Sequence, residues 1–148
     1  MIASEAVVVS ALAAGVLDIS ATRVLMRTQR ISFQRLLQVI ASGALGSSAF
    51  EMGTTAAAIG LGIHFFIAAS VATIYYFASH SFSLLAIHPV YGGVIYGVLI
   101  HIVMSRVIVP LSRAPKRTFS MKAFLTQLLI HIAFVGLPIS LTQFFLNG

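Results

Sequence analysis

Cysteine is absent from the 148 residues of this chain. The sequence therefore excludes a disulfide framework, a thiolate metal site and a catalytic cysteine. Charged residues are also scarce: they make up 8% of the chain, against about 25% in soluble domains, while 59% of the residues are hydrophobic. Because this composition cannot cover a surface exposed to water, it predicts a single transmembrane domain, residues 1–148, with the lipid bilayer as its solvent.

Long apolar segments are abundant in place of charge. Four segments are apolar enough to span a membrane: residues 6–26, 54–78, 89–111 and 121–145. The second contains no Lys, Arg, Asp or Glu, and at about 1.5 Å per residue it exceeds a ~30 Å hydrocarbon core. We therefore predict an all-α fold, an integral membrane four-helix bundle.

A short amphipathic segment, residues 32–42, lies between the first two spans. Ser32 is suited to cap its start and Gly43 to stop it. Its apolar side chains share one helical face, and Gln38 lies on the polar side. At about 11 residues it is too short to span, so we predict an interfacial helix on the membrane surface.

Three further local signals bear on the helix ends. Ser48 and Glu51 have capping-box spacing, which predicts that the second spanning helix begins near Ala49. Tyr75, at the far end of that helix, is predicted to be an interfacial aromatic residue. Pro138 is predicted to kink the fourth spanning helix because it cannot donate a backbone hydrogen bond.

The basic residues predict the orientation. All nine Lys and Arg lie in or beside two connections, the first between spans one and two and the second between spans three and four. These connections fall on one side of a four-span chain, whereas the opposite side, with both termini, has no Lys or Arg. By the positive-inside rule, the basic connections are cytoplasmic and both termini are periplasmic.

Each span carries one ionisable side chain at a similar depth. These residues are Asp18, His64, His101 and His131, each nine or ten positions from the cytoplasmic end of its span. Ten positions correspond to about 15 Å, half of a ~30 Å hydrocarbon core. We therefore predict a polar intramembrane layer that faces the interior of the bundle.

Three interpretations of this layer are open. The first is structural: neutral imidazoles and Asp18 hydrogen-bond between helices. The second is a metal or haem site, since three imidazoles and a carboxylate suit Zn, Fe, Cu or Ni. The third is a proton or ion path. One histidine per helix carries no metal-binding spacing, so the cofactor stays unknown and an unloaded layer is the expectation.

Two polar residues are candidate partners of the layer. Arg106 could extend its side chain to the headgroups, or it could form a buried ion pair with Asp18. Gln127 lies one helical turn from His131 and could orient it, or it could hydrogen-bond a neighbouring helix.

Small residues form stripes on the second and third spans. The second span carries Gly60, and the third carries Gly93 and Gly97, at the four-residue spacing that allows close helix approach in lipid. We expect the two stripes to pack against each other, or across a homodimer.

The sequence contains no catalytic motif, neither a nucleophile elbow nor a metalloprotease pair nor a phosphate-binding glycine loop, so an enzyme is disfavoured. Nucleic acid is also disfavoured as a partner, because the basic residues flank apolar spans. Two hypotheses remain: a small transport or ion- or proton-handling protein centred on the polar layer, and a non-catalytic membrane scaffold or accessory subunit whose layer is structural.

Several short motifs, in order along most of the chain, carry a resemblance to a known family. They include Gly15-Val-Leu-Asp18, the amphipathic run from Phe33 to Gly43, Leu61-Gly-Ile-His-Phe-Phe66, and His131 before Gly136-Leu-Pro138. The chain resembles small bacterial four-helix membrane proteins and is similar in plan to the YagU-like inner-membrane proteins. The resemblance implies a bacterial inner-membrane location, and it implies no activity or catalytic residue.

Overall fold

The computed structural model describes residues 3–116 and 118–147, and these form helices without any strand. Four helices are long and apolar enough to cross a membrane, which confirms the predicted all-α four-helix bundle and a multi-pass membrane protein. They are α1 (Ala3–Thr28), α3 (Gly53–Ser81), α5 (Pro89–Leu111) and α6 (Met121–Leu146). Two shorter helices, α2 (Phe33–Leu45) and α4 (Ser83–Ile87), lie in the first two connections.

Helix α2 begins as predicted and ends later. The Ser32 hydroxyl accepts a hydrogen bond from the backbone N–H of Arg35 at 3.1 Å, which confirms the N-cap. The predicted stop at Gly43 is wrong, because α2 continues to Leu45. The helix ends where Gly46 adopts a φ of 67°, a left-handed conformation that glycine takes without steric cost.

The capping box predicted at Ser48 and Glu51 is also wrong. Residues Gly46–Phe50 form a 3₁₀ turn, and the Ser48 hydroxyl donates to the carbonyl of Leu45 at 2.7 Å. Serine side chains often bond backward to the preceding turn in this way, which removes them from capping. Helix α3 starts at Gly53 instead, whose φ of 56° redirects the chain.

Helices α5 and α6 each contain a π turn, at Met104–Ile108 and Ile132–Gly136. In α6 the Leu137 N–H donates to the carbonyl of Ile132, five residues back. Pro138 follows directly and has no N–H of its own. The helical disturbance predicted for Pro138 therefore takes the form of a π turn, which widens the helix immediately after His131.

Small residues set the order of the bundle. Helix α1 packs between α3 and α6, and α6 packs between α1 and α5. A Cβ atom on Gly97 would lie 2.6 Å from the Cα of Ile132, so this glycine allows close contact between α5 and α6. Gly93 likewise faces Gly136 and Leu137 of α6. Gly60 of α3 faces α2, so the two glycine stripes do not pack against each other within the chain.

Helix α2 covers the basic end of the bundle, the end that carries the two basic connections. Its backbone lies against Gly60, where a Cβ atom would collide with the carbonyl of Leu37. Gln38, predicted on the polar face, is only 5% exposed, and its Nε2 donates to the carbonyl of Gly53 at 3.1 Å. This prediction is wrong because α3 covers the side of α2 that the sequence pattern assigns to water.

Both ends of α2 are attached to the basic connections. At its start, the Arg23 guanidinium lies over the Phe33 ring, 5.0 Å from the ring centroid. Near its end, the backbone N–H of Arg113 donates to the carbonyl of Gly43 at 2.9 Å. Helix α2 therefore bridges the end of α1 and the connection between α5 and α6.

Candidate functional site

A cavity of about 200 Å³ lies inside the bundle between α1, α3, α5 and α6. Leu36 and Ile40 of α2 form its floor toward the basic end. Most of its walls are apolar, and its polar side chains are Asp18, Thr22, His64, Gln127 and His131. Three of the four residues predicted for the intramembrane layer thus face one common space.

Asp18 and His64 form a pair on one wall of this cavity. The Oδ2 atom of Asp18 lies 4.0 Å from the Nδ1 atom of His64, and both side chains are largely buried. The Nε2 atom of His64 lies 2.8 Å from the backbone carbonyl oxygen of Gly15. A carbonyl oxygen can only accept, so Nε2 carries a proton and donates it to α1. The other nitrogen of His64 is directed toward Asp18.

His131 and His101 form a second pair on the α5–α6 side. The Nδ1 atom of His131 donates to the carbonyl of Gln127 at 2.7 Å, so the neutral ring keeps a lone pair on Nε2. The His101 ring lies behind it, with ring centroids 5.2 Å apart, and is 3% exposed. Neither nitrogen of His101 has a hydrogen-bond partner in the described part of the chain.

This arrangement gives no support to the metal or haem interpretation. Within residues 3–116 and 118–147, no three His, Asp or Glu side chains converge in a way that could hold a metal ion. The cavity, at about 200 Å³, is also smaller than the roughly 300–1,000 Å³ of sites that hold drug-sized ligands and cofactors.

Of the two candidate partners of the layer, Arg106 does not pair with Asp18, and Gln127 contacts His131 through its backbone carbonyl. Arg106 lies on the exposed side of α5, with its guanidinium 5.5 Å from the ring centroids of Phe119 and Phe124. The ion-pair contact of Asp18 is with His64, so the pairing of Asp18 with Arg106, one of the two interpretations of Arg106, is not found among the described residues. Gln127 holds His131 through its backbone carbonyl, while its side chain lines the cavity.

Sequence reasoning missed a buried polar network at the non-basic end of the bundle. Its centre is Gln143, which is 2% exposed. The Nε2 atom donates to the Ser10 hydroxyl at 3.0 Å and to the Ala72 carbonyl at 2.8 Å, joining α6 to α1 and α3. One signal was available: Gly136, Ser140 and Gln143 share a helical face with four- and three-residue spacing.

Tyr75 belongs to the same network. It is 1% exposed, so the prediction that it lies at the membrane interface is wrong. Its hydroxyl lies 2.5 Å from the Ser140 hydroxyl and 3.2 Å from the carbonyl of Leu85. Ser140 in turn donates to the carbonyl of Pro89 at 2.7 Å. A buried tyrosine needs a partner for its hydroxyl, and only the tertiary structure provides one here.

Comparison with protein-family models, with curated proteins and with solved structures found no match.

Proposed function

We propose that this multi-pass membrane protein binds and transfers protons through the Asp18–His64 pair and the cavity that it lines. The observation that carries the proposal is the position of His64, with one nitrogen donating to Gly15 and the other directed at Asp18. Ionisable groups inside a membrane are costly, and substrate and ion pathways and proton relays are among the functions that they mark.

The hydrogen bond to Gly15 determines how many protons the pair can hold. With Nε2 protonated, the facing Nδ1 and Oδ2 atoms repel each other unless one further proton is present between them. That proton resides on His64, giving an ion pair, or on Asp18, giving a neutral pair. Both states have no net charge, so a gained or lost proton leaves an unbalanced charge inside the membrane.

The cavity connects this pair to a second proton acceptor. The 4.0 Å between the Oδ2 atom of Asp18 and the Nδ1 atom of His64 is too long for a direct hydrogen bond but fits a bridging water molecule. His131 lies on the α6 wall of the same cavity, and its Nε2 lone pair can accept a proton in the neutral ring. His101 lies directly behind His131. The order of transfer that we propose is Asp18–His64, then His131, then His101.

The location and assembly of the protein are part of the proposal. We assign the chain to the bacterial inner membrane, with both termini periplasmic, on the basis of the basic connections and the resemblance to YagU-like proteins. In this orientation, α2 closes the cavity on the cytoplasmic side. A homodimer is a further element of this proposal.

The test is proton flux into proteoliposomes loaded with a pH-sensitive dye under a potassium diffusion potential. We expect wild-type protein to acidify the lumen faster than empty liposomes and Asp18→Asn to reduce the rate to that of empty liposomes. The matched control is Thr22→Val, which removes a polar group from the same cavity without removing a titratable one. Equal flux from wild-type and empty liposomes, or from wild type and Asp18→Asn, would overturn the proposal.

A second candidate function is a non-catalytic scaffold or accessory subunit. The observation that favours it is the same His64–Gly15 hydrogen bond, because a side chain that joins two helices can serve helix register alone. In that case Asp18→Asn changes the stability of the purified protein, and wild-type proteoliposomes show no proton flux.

A further inference from the structure

A second cavity, of about 260 Å³, lies at the non-basic end and shares no lining residue with the Asp18–His64 cavity. Its walls come from the last turns of α3 and α6 and from α4. Five of its side chains are polar: Tyr75, Ser79, His80, Ser140 and Gln143. None of the described residues that line it is Lys, Arg, Asp or Glu.

Gln143 uses both of its amide hydrogens in hydrogen bonds. They are donated to Ser10 and Ala72, as described above, and the Ala72 carbonyl can only accept, which fixes the orientation of the amide. The Oε1 atom is buried and finds no hydrogen-bond partner among the described residues. A buried acceptor without a partner is destabilising, so this atom would gain from a donor.

The other polar side chains have also used their donors. The hydroxyls of Tyr75 and Ser140 have two protons between them, and three contacts compete for these protons: the contact between the two hydroxyls and the contacts with the carbonyls of Leu85 and Pro89. Ser79 and His80 both donate to the Tyr76 carbonyl, the latter through Nδ1 at 2.7 Å. The neutral His80 ring therefore keeps only the Nε2 lone pair.

Among the described side chains that line this cavity, the unused polar capacity consists of lone pairs alone. A ligand with lone pairs of its own, such as an alcohol or a carboxylate, would find no hydrogen-bond donor for those lone pairs among the described side chains of the cavity wall. A protonated amine has several N–H donors and no acceptor, so its hydrogen-bonding capacity matches that of the walls. The rings of Tyr75 and Phe144, which also line the cavity, can contribute cation–π attraction.

Size and charge narrow the class of ligand. A cavity of about 260 Å³ lies below the roughly 300–1,000 Å³ range of drug-sized ligands, so its occupant is small. Every Lys and Arg lies in or beside the two connections at the opposite end of the bundle, so none of these side chains repels a cation at this end. We propose that the cavity is a binding site for a small ammonium ion, either ammonium itself or a short primary alkylammonium.

The test is direct binding of radiolabelled methylammonium to the purified full-length protein in detergent, measured by equilibrium dialysis. We expect saturable binding at one site per chain. Tetramethylammonium has the same charge but no N–H donor, and we expect it to compete at least about tenfold more weakly, the equivalent of roughly 1.4 kcal/mol. Absence of saturable binding, or equal competition by tetramethylammonium, would contradict the proposal.

Variants then locate the site. Gln143→Leu could fail to fold, so the informative change is His80→Phe, which keeps a ring at an exposed position and removes the Nε2 acceptor. We expect it to weaken methylammonium binding roughly tenfold, since one hydrogen bond to a charged donor is lost. His88→Phe, a matched change at an exposed histidine outside the cavity, should bind like wild type.

The Asp18→Asn protein separates this site from the proton cavity. We expect it to bind methylammonium with unchanged affinity, whatever its proton flux. Loss of binding in Asp18→Asn with retention in His80→Phe would assign the ion to the other cavity and overturn the proposal.

Discussion

His64 makes a different contact with each of its two ring nitrogens. Its Nε2 atom holds α1 through a backbone carbonyl, while its Nδ1 atom faces a carboxylate across 4.0 Å. The first contact fixes the ring, and the second is where we propose that the ring shares a proton with Asp18. Under this proposal, helix register and proton binding are coupled at this one side chain.

Replacement of His64 by Leu tests the structural part of this coupling. The Gly15 carbonyl lies within α1 and can still accept from its own helix, so the loss should be modest. We expect the free energy of unfolding to fall by roughly 0.6 kcal/mol, and by no more than about 1.7 kcal/mol, the range measured for hydrogen bonds between membrane helices. Unfolding in mixed micelles with increasing dodecyl sulfate measures this change.

The control for His64→Leu is His88→Leu, at an exposed histidine in the non-basic connection, which should unfold like wild type. A loss several times larger than the expected range would mean that the Asp18 contact, and not the Gly15 hydrogen bond, dominates the contribution of His64 to stability.

At the scale of elements, α5 and α6 approach each other closely because residues at their contact are glycines, which have no side chain. A Cβ atom on Gly136 would collide with the carbonyl oxygen of Gly93 and would lie 2.6 Å from the backbone nitrogen of Gly97. Backbone atoms cannot rotate away as a long side chain can. The contact therefore requires glycine at each of these positions, and both π turns lie in the helices that share it.

Gly136→Ala should consequently separate α5 from α6. We expect a loss of about 1–3 kcal/mol or more, the usual cost of overpacking, visible as a lower thermal unfolding temperature in detergent. Gly62→Ala is the matched control, because, apart from its chain neighbours and the backbone of its own helix, no described atom lies within 4 Å of its Cβ position. That variant should be neutral or slightly stabilising, since Ala is favoured over Gly in helices by up to about 1 kcal/mol. Equal stability of Gly136→Ala and wild type would contradict this packing.

The elements also show which features the sequence could and could not predict. The spans and the Ser32 cap depend on neighbouring residues and were predicted correctly. Gln38 and Tyr75 were assigned to polar or interfacial positions because polar atoms ordinarily seek water. Both are buried, since carbonyl or hydroxyl groups from distant segments accept or share their hydrogen bonds. Periodicity along one helix contains no information about such partners.

For the candidate site, too, the sequence predicts some features and leaves others open. Equal depth along four spans predicts one layer of Asp18, His64, His101 and His131; three of these residues line one cavity, and His101 does not. The same reasoning could not predict which of them pair. The His64–Gly15 bond and the position of Arg106 over aromatic rings depend on helix rotation, which the side-chain pattern leaves open.

For the whole molecule, the absence of cysteine gives a clean test of orientation. Single cysteines can be placed at exposed serines, Ser83 in the non-basic connection and Ser47 in the first basic connection. We expect a membrane-impermeant maleimide to label Ser83→Cys on intact bacterial cells, and to label Ser47→Cys only after permeabilisation. The reverse pattern would contradict the proposed orientation and put the α2-covered end outside.

The buried network at the non-basic end has a mechanical consequence. Hydrogen bonds from Gln143, Tyr75 and Ser140 fasten α1, α3, α5 and α6 there, whereas the attachments described at the basic end run through α2. We therefore expect the long helices to pivot about a common point near Gln143 and to separate most beneath α2. Hydrogen–deuterium exchange should accordingly be faster in the turns near Gly60 than in those near Tyr75, and uniform exchange would exclude a pivot of this kind.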